Sequence, residues 1–134
     1  AIWHKRVQLT VAGDALRVTC EYGQPASAPA LTTQINNQPL LDEVETMQLL
    51  LGEDIMAPSD PDDSVDRYVT ANSLTPGNRV VAVRIGLILS TGEIGSLPPD
   101  SDDIDLLGQT FSATNDPELR RPMILNISLR NQAL

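Results

Sequence analysis

The chain has 134 residues, 41% of them hydrophobic and only 3% aromatic, with eighteen acidic against nine basic side chains and a formal charge of −9. That length suits one domain, residues 1–134, packed mainly by aliphatic side chains. The charge repels phosphate backbones and anionic lipid surfaces, so nucleic-acid binding is excluded as a function class.

In chain order, residues 2–11 alternate as a strand with Trp3, Val7, Leu9 and Val11 inward. The turn signal AGDA then predicts a hairpin whose return strand is LRVTCEY. Cys20 is the single cysteine and shares a face with Leu16, Val18 and Tyr22, which predicts a buried, inert thiol. The alternative is a disulfide to a cysteine in an upstream segment. His4 is the only histidine, so no catalytic triad can be assembled. Residues 23–39 are rich in Pro, Ala, Gln and Asn and read as a long loop.

In PLLDEVETMQLLLG, the residues Leu40, Leu41, Val44 and Met47 fit a helical turn, while Met47, Leu49 and Leu51 fit a strand. The expectation is a short helical turn running into a strand that ends at Gly52. The acidic stretch that follows, broken by Pro58 and Pro61, is a surface loop. SVDRYVTANSL is expected to form a short helix with Tyr68, Val69, Ala71 and Leu74 on the core. Pro76-Gly77 ends it and launches RVVAVRIGLILS, with Val81, Val83, Ile85, Leu87 and Leu89 on one face. The apolar run at 80–89 contains Arg84 and is half a membrane span in length. A loop at 98–103, a short strand within IDLLGQTFSA and a closing strand complete the chain. Met123, Leu125, Ile127 and Leu129 form the inward face of that last strand. No segment of crossover length separates the strands, so the sheet should be antiparallel and the fold α+β, predominantly antiparallel β.

Little local chemistry stands out. Asp60, Asp62, Asp63 and Asp66 could offer oxygen ligands to calcium, but the EF-hand spacing and its glycine are missing and Pro61 stiffens the loop. A solvated acidic loop is the default reading, and no other cofactor is expected. Arg120 and Arg121 could bind a carboxylate or phosphate. The blander reading pairs them with Asp116 and Glu118 nearby.

Read in order, LLDEVETMQLLLGEDI, VDRYVTANSL, NRVVAVRIGLILST, LLGQTF and NDPELRRPMILNISLRN resemble the PilW-type minor pilins of type IV pili over residues 40–131. The matching positions are Val44-Glu45, Gly52 to Asp54, Asp66-Arg67-Tyr68, Val80 to Arg84, Arg120-Arg121 and Leu129-Arg130-Asn131. The loop after Gly52 departs from the family, since it lacks the family's glycine. The basic leader and long apolar helix with its glutamate are missing from the chain, which then reads as the head of a longer, processed precursor.

The resemblance implies a non-catalytic minor pilin that initiates pilus assembly at the filament tip. Its implied partners are other minor pilins and the major pilin. A missing helix would anchor it in the inner membrane, with a periplasmic head that passes to the cell-surface pilus. The J-type pseudopilins of type II secretion are the nearest alternative. A free periplasmic or surface ligand-binding domain, calcium-dependent or not, is the alternative of another class.

Overall fold

The computed structural model describes residues 4–23, 31–55, 64–92, 95, 98–99 and 102–129. Nine strands occur in them: β1 (His4–Val11), β2 (Ala15–Gly23), β3 (Thr32–Asp42), β4 (Val44–Asp54), β5 (Arg67–Val69), β6 (Arg79–Ser90), β7 (Ile104–Leu106), β8 (Gln109–Phe111) and β9 (Arg120–Ser128). They form a three-stranded sheet β1-β2-β3, a four-stranded sheet β5-β4-β6-β9 and the β7–β8 hairpin, with every pairing antiparallel.

The expected α+β class is therefore corrected to nearly pure antiparallel β. The described residues contain no α-helix, only a three-residue 3-10 turn at Ala71–Ser73. Three local readings fail for identifiable reasons. The helical spacing around Leu40–Met47 arises where β3 passes into β4 through Glu43, at φ 60°, and a bulge follows between Val44 and Thr46. Each irregularity shifts the two-residue alternation, and the result mimics a period near 3.6.

Arg67–Val69 pairs with Leu51–Glu53 instead of starting a helix. An isolated helix of that length is marginal, whereas the edge of β4 supplies backbone partners. The segment read as a loop, 23–39, holds most of β3, whose side chains are exposed along its whole length. A strand with solvent on its side chains has no reason to look hydrophobic.

The hairpins follow from their turn residues. Gly13 and Asp14 both have positive φ, and the Ala12 N–H donates to the Ala15 carbonyl, giving the tight two-residue turn between β1 and β2. Pro76-Gly77 forms the turn before β6, with Gly77 at φ 95° and the Asn78 N–H on the Thr75 carbonyl.

Register divides the four-stranded sheet into two faces. One bears Ala82, Arg84, Gly86 and Ile88 and is covered at Gly86 by the β7–β8 hairpin. A Cβ on Gly86 would lie 2.8 Å from Leu106 Cδ1 and 3.0 Å from Leu107 Cδ1. Leu107 sits in the left-handed region, at φ 53°, to make the hairpin turn and still reach the sheet. Ala82, Ile88 and Leu106 are buried there. Gly86→Ala should lower the melting temperature by roughly 5 °C, because Leu106 is too enclosed to swing aside. The same change should cost less in a Leu106→Ala background, and equal costs in both would refute the contact.

Candidate functional site

The Asp66-Arg67-Tyr68 triplet lies where β5 pairs with the end of β4, and its three side chains act in three directions. Asp66 Oδ2 accepts from the Ile55 N–H at 2.6 Å, while the Asp66 N–H donates to the Glu53 carbonyl at 2.9 Å. Arg67 Nε donates to Glu53 Oε2 at 2.7 Å, and its Nη2 donates to Thr75 Oγ1 at 2.7 Å. Tyr68, on the opposite face, lies under Arg84, whose guanidinium carbon is 3.6 Å from the ring centre. Arg84 Nε also donates to Asn126 Oδ1 on β9 at 2.7 Å.

Glu53 and Asp54 are fully buried, each with an arginine on its carboxylate. The Thr75 N–H holds the Glu53 carboxyl below its ordinary range; burial opposes this, and Arg67 reinforces it. The triplet is thus a splice joining β4, β5, β6 and β9. Its groups are spent on one another.

A second cluster surrounds Arg120, only 5% exposed at its side chain. Its guanidinium donates to both oxygens of Asp116 at 2.8 Å, to Glu45 Oε2 at 2.8 Å and to Glu118 Oε2 at 3.5 Å. The pairing with Asp116 and Glu118 expected from sequence is present, and Glu45 on β4 is the partner that sequence reasoning missed. The bulge after Val44 turns Glu45 toward Arg120, and seventy-five residues of separation hide the pair from any local pattern. Arg121 points to the other face and is exposed.

The acids in this cluster titrate in opposite directions. Hydrogen bonds from Arg120 hold Asp116 below its ordinary 3.8, against burial. Burial pushes Glu118 above 4.5, and the charge of Asp116 adds to the shift. A raised carboxyl stabilises the fold below its unfolded value and loses that contribution as pH rises through its folded value. Glu118→Gln should therefore be neutral or stabilising at pH 7, with the advantage fading as pH falls toward 4.5. Melting curves across that window test it, and a variant less stable at pH 7 than at pH 4.5, relative to the parent, would contradict it.

The other face of the four-stranded sheet buries Val81 and Leu87 but leaves a run of apolar side chains exposed. Register places Leu49 and Leu51 on β4, Val69 on β5, Val83 and Ile85 on β6, and Leu125 and Ile127 on β9 side by side. Leu49, Leu125, Ile127 and Leu129 are 37%, 43%, 45% and 40% exposed. Met123 is half-buried. The closing strand was expected to be core, and its apolar side chains instead face outward. Contiguous apolar surface of this kind marks a contact site in a soluble domain.

Val7 and Tyr22, expected inward in the first hairpin, are also exposed. Cys20 is half-buried with a free thiol, beside an apolar hollow of about 350 Å³ that it lines with Tyr22, Gln34 and Ile35.

Trp3, Asp60, Asp62, Asp63, Arg130 and Asn131 lie outside the described residues. Asp66 serves as a backbone acceptor, and among the described residues no group of three His, Cys, Asp or Glu is placed to hold a metal ion. No described helix is long and apolar enough to cross a membrane. No curated protein and no solved structure shows significant similarity to the chain. A family model described as "PilW: Type IV Pilus-assembly protein W" matches residues 11–131, from the end of β1 through β9, and so includes both ion-pair clusters and the four-stranded sheet. The chain belongs to the PilW family of type IV pilus-assembly proteins.

Proposed function

We propose that the chain is the head of a minor pilin, without catalytic activity or a cofactor, that helps to initiate a type IV pilus with other minor pilins at the filament tip. Family membership makes it a pilus-assembly protein of the cell envelope. The observation that carries the finer reading is the exposed aliphatic part of one face of the β5-β4-β6-β9 sheet, at Leu49, Leu125, Ile127 and Leu129. A long apolar helix of the pilin type, supplied by the parent protein, fits that face, and such a helix would also anchor the head in the inner membrane before assembly. Burying four or more large aliphatic side chains under a helix would stabilise the union by several kcal/mol, at ~25 cal/mol per Å². Assembly then needs contacts between heads, and the major pilin would continue the filament below them.

Mass spectrometry of filaments sheared from cells tests this reading. Peptides of this chain, with an N-methylated first residue on the processed parent, are the expected result. Absence of the chain from filaments of cells that do make pili would overturn it.

A further inference from the structure

The four-stranded sheet ends on β9, whose outer edge pairs with no described strand. The Leu129 N–H donates inward to the Val81 carbonyl, so odd-numbered residues of β9 turn their backbone groups toward β6. The even-numbered ones, Pro122, Ile124, Asn126 and Ser128, turn theirs outward. Pro122 fits that assignment, since it lacks an N–H and stands where no inward donor is needed. Beyond it the N–H groups of Ile124, Asn126 and Ser128 form an open row.

Edges are usually blunted by lysines, inward charges or short length. From Pro122 to Leu129 this edge carries no charge, and Ile124, Leu125 and Ile127 are 51%, 43% and 45% exposed beside it.

We infer that the β9 edge accepts an extended strand from another pilus subunit, with aliphatic residues at alternate positions and an acidic residue at the end beside Arg121. The acidic end follows from charge: Arg121 is exposed at the start of this edge, and no acid follows it from Pro122 to Leu129. Strand addition supplies backbone hydrogen bonds for affinity and alternate side chains for specificity. The inference deepens the assembly reading and rests on it for the source of the strand. A helix docked on the sheet face would leave the edge open.

The probe is a synthetic nine-residue peptide with isoleucine at alternate positions, threonine between them and aspartate at both ends. Added to the 134-residue chain, it should slow amide exchange at Ile124, Asn126 and Ser128 at least tenfold and leave Met123, Leu125 and Ile127 unchanged. Ile124→Lys, and separately Ser128→Pro, should weaken the peptide about tenfold or more with little change in melting temperature. Absence of protection, or equal binding by a variant that melts like the parent, overturns the proposal. Protection that grows with protein concentration in the absence of peptide also overturns it, in favour of a second copy.

In cells, Ile124→Lys in the full-length protein should reduce surface pili. Normal piliation in that strain, when deletion of the gene removes pili, refutes the edge and spares the assembly reading. Normal piliation in the deletion strain refutes the assembly reading itself.

Discussion

Leu49→Asp and Leu125→Asp in the full-length protein are expected to cut surface pili at least tenfold and leave the head folded. Both side chains sit on the exposed part of one face of the four-stranded sheet, more than a third exposed, so an aspartate there keeps its hydration in the isolated chain. Exposed substitutions away from special features usually change stability by no more than about 0.5 kcal/mol. Once an apolar helix covers the face, the same carboxylate is buried without a partner at a cost of several kcal/mol.

The contrast between the two settings is the test. The isolated variants should melt within about 2 °C of the parent and aggregate less, since a charge now interrupts the apolar patch. Sheared-filament yield from cells carrying each variant provides the second measurement. Full yield with both aspartates would mean that the face is not covered during assembly. A matching change on the outer face of β3, where residues are exposed throughout, should do neither harm and serves as the control.

Local chemistry written within one or two residues was legible in the sequence. The AGDA turn, the Pro76-Gly77 turn and the alternation of β6 from Ala82 onward all appear where their residue types require them. Register was not legible, because it depends on bulges. The spacing Leu40, Leu41, Val44, Met47 looks helical only because the chain changes sheets at Glu43 and then bulges before Thr46. β3 was invisible for another reason: Thr33, Gln34, Asn36 and Asn37 pair through backbone alone or face water, so composition carries no strand signal.

The closing strand taught the reverse lesson. Its alternation was read correctly and its burial was not, since periodicity identifies an apolar face without saying what covers it. Arg120 likewise announced its near acids, Asp116 and Glu118, while Glu45 required the β4 bulge to reach it. Asp66, Arg67 and Tyr68 each have partners where β4, β5, β6 and β9 meet, which no local pattern in the sequence announced.

Arg120→Met should lower the melting temperature by on the order of 10 °C at pH 7. The guanidinium has almost no exposure and is the only cation that the structure shows contacting Glu45, Asp116 and Glu118. Methionine fills similar volume, so the loss is electrostatic: three half-buried carboxylates would face one another. Breaking such a set by removing one partner costs more than the set itself contributes.

The pH dependence identifies the cause. In the parent, Asp116 is held below 3.8, so its stabilisation is present above that value and is lost as pH falls through its lowered folded value. In the variant Asp116 and Glu118 lose their cation and their folded values rise. Their stabilisation is then fullest at low pH and disappears as pH climbs. The deficit against the parent should thus be greatest at pH 7 and shrink as pH approaches 4.5. Arg120→Lys should recover part of it, since one ammonium cannot fork across Asp116 and still reach Glu45. A deficit that is independent of pH would assign the loss to packing and remove the charge cluster from the account.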